Sequence, residues 1–232
     1  MNTLLKILIS TCVLIVISSG SELKAQKRRI TSDFVFGLNF AEMDIEGANM
    51  YKKPKIGFLI GTNVNFKLIS NFQVQTGFFV AKKGLRQDIE VYEEDKAAGQ
   101  TTTEYTMRNT VANYIQVPLG IGYEVYLTRS FALNINAGGY AAYGFKGDHK
   151  IEEYTVITLN GTPYTSAIVE TEIDTFSKRM WKRLDYGAYA RVGAIYDIFT
   201  INLTYEYGLH NVSNEGSIMK NRNLAVALGF RF

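Results

Sequence analysis

His149 and His210 are the two histidines of the chain. Asp148, Ser213 and Glu215 lie near them in sequence, so a lipid-modifying hydrolase or acyltransferase site can be assembled from residue types. That chemistry needs a Ser–His hydrogen bond and an orienting acid, and the spacing supplies neither. Polar residues of these kinds also fill loops by default, and the expectation is that no catalytic site is present. Arg191 and Glu206 form the sharpest charged pair. A two-residue turn at Ile198–Phe199 would set 191 opposite 206, which predicts a direct ion pair on an inward face. Glu124, Tyr189, Asn134 and Asn136 would extend it into a polar network. A gate or proton path is one reading. Pairing of charges inside a narrow interior is the other, and the cost of burying a lone charge favours it.

Lys178, Arg179, Lys182 and Arg183 bracket Trp181. They are candidates for holding lipopolysaccharide phosphates, as basic groups hold anionic head groups elsewhere. Equally, they can be snorkelling anchors beside an interfacial tryptophan. Glu90, Glu93, Glu94 and Asp95 lack the spaced oxygens and turn glycine of a calcium loop. They read as a solvated face, and no metal or cofactor is expected. Asn160-Gly161-Thr162 and Asn211-Val212-Ser213 match a glycosylation acceptor and are discounted as sites.

The elements that must position these residues are strands. Alternation with a period of two recurs eight times. The segments are Phe34–Phe40, Ile56–Phe66, Phe72–Val80, Ile115–Val125, Phe131–Ala137, Leu184–Tyr196, Thr200–Leu209 and Leu224–Phe232. In the seventh, Ile201, Leu203, Tyr205 and Tyr207 take one face, and Asn202, Thr204 and Glu206 the other. With their extensions the strands run to about 9–15 residues, as tilted membrane strands do, where soluble strands average nearer 5–6. Pro118 cannot donate to a ladder, so a bulge or a broken pair is expected there.

Link lengths alternate too. Ile69–Ser70, Thr128–Ser130 and Ile198–Phe199 are short. Glu42–Pro54, Arg86–Thr110, Gly147–Lys182 and Asn211–Arg222 are long and polar. Short turns at one end and long loops at the other mark an outer-membrane barrel. The expectation is therefore an all-β, eight-stranded antiparallel up-and-down transmembrane barrel. Apolar residues would face lipid, and Gly, Asn, Gln and scattered charges would face the lumen. Phe72, Tyr126, Phe131, Tyr196 and Phe199 would form one aromatic girdle. Phe40, Tyr114, Tyr143, Phe145, Trp181 and Tyr207 would form the other. The second long loop is polar enough to be disordered when unbound.

Composition agrees with a barrel. The 232 residues carry a formal charge of +3, and the mean hydropathy is −0.04. Leu4–Ile17 alone approaches the apolar length of a spanning helix. With Lys6 near its start and Ser18, Ser19, Gly20, Ser21 and Ala25 after it, residues 1–25 read as a signal peptide, and 26–232 as the barrel domain. An uncleaved anchor is the rival reading. Cys12 sits inside the apolar core, not at its end, which argues against lipidation. It is the chain's one cysteine, so the exported chain would have no thiol chemistry. Loss of Lys6, Lys24 and Glu22 with the leader leaves 23 basic and 21 acidic residues, a balance that gives nucleic acid no purchase.

Phe36-Gly37-Leu38-Asn39, Ile56-Gly57-Phe58-Leu59-Ile60-Gly61, Ala81-Lys82-Lys83-Gly84 and Tyr114-Ile115-Gln116-Val117-Pro118-Leu119 resemble segments of the PorT-family outer-membrane barrels of Bacteroidetes. The resemblance implies the barrel fold over the whole mature chain. The founding member is tied to type IX secretion, and only the fold is carried over. Phe230 and Phe232 end the last alternating strand in phase, which resembles the recognition signal of the barrel assembly machinery. Expected partners are outer-membrane lipid, that machinery and an envelope protein.

Overall fold

The computed structural model describes residues 29–46, 52–95, 100–159, 162–214 and 216–232. The expected leader, Cys12, Asn160-Gly161, Glu215 and the side chains of Glu94 and Asp95 lie outside the described residues. Eleven strands are present among them: β1 (Ile30–Ile45), β2 (Lys52–Lys53), β3 (Lys55–Lys67), β4 (Phe72–Asp95), β5 (Gln100–Tyr126), β6 (Phe131–Leu159), β7 (Thr162–Thr165), β8 (Val169–Asp174), β9 (Leu184–Tyr196), β10 (Phe199–Gly208) and β11 (Met219–Arg231). Eight of them close a ring in the order β1-β3-β4-β5-β6-β9-β10-β11. Each pair is antiparallel, and β11 returns to β1 from Asp33↔Arg231 to Ile45↔Met219. β2 adds to β4, and β7 and β8 add to the outer part of β6.

Alternation sets the two faces. Leu203, Tyr205 and Tyr207 are exposed, while Asn202, Thr204 and Glu206 between them are buried in the ring. The exposed apolar residues mark the spanning segments: 34–40, 56–66, 72–80, 115–125, 131–145, 184–196, 199–209 and 224–232. Lipid satisfies the outward side chains, and closure satisfies the backbone because no edge is left.

The short turns lie close to their expected places, with two shifts. The first is Ser70–Asn71, both left-handed with φ of 56° and 59°, which matches strand twist better than an ordinary turn. The third is Asp197–Ile198, since Tyr196 pairs with Phe199. The expectation of Ile198–Phe199 is corrected by one residue, because Asp197 takes the left-handed conformation (φ 51°) that the turn requires. At the second turn, Thr128 Oγ1 accepts the N–H of Phe131 at 3.0 Å.

A larger correction concerns the two longest links. Arg86–Thr110 and Gly147–Lys182 are mostly strand. β4, β5 and β6 run for 24, 27 and 29 residues. The β5–β6 ladder continues from Tyr126↔Ala132 to Gln100↔Leu159. A membrane strand needs only about 9–11 residues, so the outer half of this ladder stands clear of lipid. The β4–β5 ladder is interrupted between Thr76↔Leu119 and Phe79↔Gln116, opposite Pro118. Thr76 Oγ1 donates to the Pro118 carbonyl at 2.9 Å. The bulge itself falls a turn higher, at Asn113/Tyr114.

Two apolar clusters interrupt the polar lumen. Val35, Leu59, Phe79, Ala81, Ala225 and Ala227 form one. The other closes the outer mouth and includes Met43, Leu85, Tyr114, Tyr140, Phe176, Trp181 and Val212. The girdle expectation fails for Tyr114 and Trp181, which are 0% and 3% exposed. Tyr114 has the parity of inward Gln116. The segment carrying Trp181 folds over the mouth. Its neighbour Phe176 fits because the facing residue is Gly144, where a Cβ would stand 2.0 Å from the ring.

Candidate functional site

The lumen holds three polar layers. At the short-turn end, Arg231 at the end of β11 donates to Asp33 at 2.6 and 3.0 Å and to Glu124 at 2.7 Å. Lys67 reaches Glu124 at 3.2 Å and also bonds the Tyr126 hydroxyl. In the middle, Arg191 donates to Thr204 Oγ1 at 2.9 Å, Asn63 Oδ1 at 2.5 Å and Gln75 Oε1 at 3.0 Å. Its guanidinium also faces the rings of Phe79 and Tyr189. Toward the mouth, Lys83 sits 2.9 Å from Glu206 and 3.6 Å from Asp185. Gln116 and Asn223 donate to Glu206 at 2.5 and 3.1 Å. Asn221 and the Tyr140 hydroxyl donate to Asp185 at 2.9 and 3.3 Å.

Arg191 and Glu206 are thus both inward, but they are not an ion pair. The displaced turn makes Arg191 face Thr204 and Glu206 face Tyr189. A shift of one residue in the turn moves every pair by two positions, so side-chain parity survives while partners change. Glu124, Tyr189, Asn134 and Asn136 are buried in the lumen as well. Glu124 belongs to the lower layer, and Asn136 accepts from Gln73 at 3.1 Å. Sequence reasoning missed Lys83 and Asp33, and it left Asp185 out of the network although its parity matches that of Arg191. The signal for Lys83 was available: it shares the parity of inward Gln73 and Gln75.

Among the described residues, each rim histidine has its own partner. His149 is buried, and its Nδ1 lies 2.7 Å from Thr110 Oγ1. Burial and the Arg108 charge hold its imidazole below the ordinary value. His210 stacks on Tyr186, centroid to centroid 4.9 Å. The Ser213 N–H is accepted by Asn211 Oδ1, which also accepts from Met219. Among the described residues no cluster of three His, Cys, Asp or Glu side chains is placed to hold a metal ion.

The basic cluster around Trp181 is divided by the fold. Trp181 is buried in the mouth. Lys182 donates to the Asn211 carbonyl at 3.1 Å and Arg183 to the Gly144 carbonyl at 3.0 Å. Only Lys178 and Arg179 of the five are exposed. Covering an apolar mouth draws the tryptophan inward and sets its flanking cations to satisfy backbone carbonyls.

A closed ring of eight antiparallel strands, apolar outside and charge-paired within, defines a transmembrane barrel of the outer membrane. Residues 24–214 match the outer membrane protein beta-barrel domain family, and the chain belongs to it. No curated protein matches the sequence. Among solved structures, the chain is similar to the attachment invasion locus protein Ail of Yersinia pestis, with 14% identity, a TM-score of 0.42 and coverage of 87% of this chain and 98% of that one. It is similar to neisserial surface protein A at 9% identity and TM-score 0.37, over 87% and 97%. The outer membrane protease OmpT from Escherichia coli gives 9% and 0.36, over 91% and 99%. These likenesses carry no argument about activity.

Proposed function

We propose that the protein is an interaction protein of the cell envelope, a barrel that holds a sheet above the outer membrane for a protein partner. The observation that carries this is the β5–β6 ladder, which continues past its one bulge up to Gln100↔Leu159, far beyond what spanning requires. A long paired sheet outside the membrane costs backbone entropy. It offers a preformed surface, and a preformed surface loses less on binding. The lumen is filled by paired side chains, so the barrel serves as an anchor and not as a passage. On this reading the barrel is a subunit of an envelope or secretion machine, and the extended sheet is the part that meets its partner.

The test is affinity purification of the tagged chain from native outer membranes in mild detergent. A companion variant has Ile89–Thr106 replaced by a two-residue Asn-Gly turn. Envelope proteins that co-purify with the full chain and vanish with the trimmed variant support the reading. Equal recovery from both overturns it. Loss of a lipid-cleaving activity in a His149→Ala/His210→Ala variant would replace it with a rim enzyme.

A further inference from the structure

We propose that Lys55, Lys82 and Lys146, on the outward surface at the base of the extension, seat the phosphate of an anionic lipid head group in the outer leaflet. All three stand at the boundary of the apolar band. Lys55 directly precedes exposed Ile56, and Lys146 directly follows exposed Phe145. Lys82 lies two residues beyond Val80, on the same face. The register aligns two of them across three strands: Lys82 pairs with Asn113, and Asn113 with Lys146. Neighbouring strands are about 4.8 Å apart, so the outer pair is separated by roughly 10 Å of backbone, within the reach of two lysines around one phosphate.

Lys55 completes the set from the adjacent strand. Gly84 follows Lys82 on that face, and a Cβ there would stand 3.1 Å from the Lys55 Cδ. The glycine lets the lysine stem lie across β4, and its ammonium bonds the side-chain oxygen of Asn109, the partner of Arg86. Burial and the charges of Lys82 and Arg86 push the Lys55 ammonium below its ordinary value. The fold thus gathers like charges without neutralising them. Among the described residues no carboxylate pairs with Lys55, Lys82 or Lys146. The neighbouring cations do have carboxylate partners: Lys53 and Arg86 share Asp88, and Lys150 holds Glu170 and Glu172. Gathered cations facing outward at head-group depth are complementary to a lipid phosphate.

The experiment uses the full chain purified in neutral detergent, with diphosphoryl lipid A as the probe and native mass spectrometry as the readout. Dephosphorylated lipid A and inorganic phosphate provide two control arms. Each cation near a lipid surface contributes about a fivefold change in affinity. Lys55→Gln/Lys82→Gln/Lys146→Gln is expected to weaken lipid A binding on the order of a hundredfold. Lys178→Gln/Arg179→Gln should leave it unchanged. Equal binding by the triple variant, or by dephosphorylated lipid A, overturns the proposal. Displacement of lipid A by millimolar inorganic phosphate overturns it in favour of a free-anion site. If the triple variant loses the heat-modifiable mobility of a folded barrel, Lys146→Gln alone is measured. A loss of about fivefold supports the site, and no change overturns it.

Discussion

The ring inside the membrane and the sheet above it share one backbone conformation and have opposite sequence signals. Between Phe199 and Gly208 every second residue is apolar, because one face meets lipid and the other a packed lumen. Between Gln100 and Thr110 the same strand geometry is built from Thr101, Thr102, Thr103, Tyr105 and Thr106, with Glu104 and Arg108 among them. Tyr105 stacks on its cross-strand neighbour Tyr154, centroids 4.8 Å apart. Alternation reports a difference between two environments. Where both faces meet water the difference vanishes, while the strand preference of threonine and tyrosine persists.

The contrast is sharpest in what a lost charge costs. In the lumen, Lys83→Met leaves Glu206 and Asp185 buried without their cation. It is expected to destabilise the barrel by about 3–5 kcal/mol, measured as a shift in urea midpoint on reversible unfolding in lipid vesicles. A double Lys83→Met/Glu206→Leu variant should recover part of that loss. Trp181→Ala empties the apolar mouth and should cost about 3 kcal/mol. Faster amide exchange confined to residues 175–182 and 211–213 would show that the loss is local. Equal destabilisation of the whole ring would show that mouth and ring unfold together.

At the junction of the two regions, His149 gives the extension a pH dependence. Its folded value is depressed, so the opened segment takes up a proton near 6.5 and the closed one resists it. Closure is fully favoured above 6.5 and weakens as pH falls below it. The protection of the Asn109–Val111 amides, taken relative to the intrinsic exchange rate at each pH, should fall between pH 6.5 and 5, and His149→Gln should flatten that profile. The smallest effect belongs to the surface. Asp88→Ala removes exposed pairs with Lys53 and Arg86 and should change stability by less than about 1 kcal/mol. A larger loss would mean that the extension behaves more like the lumen.

Sequence reading succeeded where the environments differ. The eight spanning segments and the inward parity of Arg191, Glu206, Glu124 and Tyr189 follow from alternation alone. Partners were less legible. Parity survives a displaced turn, but register does not, and Asp197 in place of Phe199 in the turn moved Glu206 from Arg191 to Lys83. The basic run at Trp181 misled for a different reason. Chemical type shows that lysines and a tryptophan suit an interface, while the need to cap an apolar mouth arises only once Tyr114, Phe176 and Val212 have come together.

The extension is also a mechanical element. About 15 residues of β5 stand above the apolar band, which at about 3.3 Å each is a rod of roughly 50 Å. It is rooted on one side of the ring only, through β4, β5 and β6. A rod of that length tilted by about 10° at its root carries its tip through roughly 9 Å, by the same rise. Small changes where the sheet leaves the lipid are thus magnified at Gln100, and pulling at the tip is returned to the root as leverage.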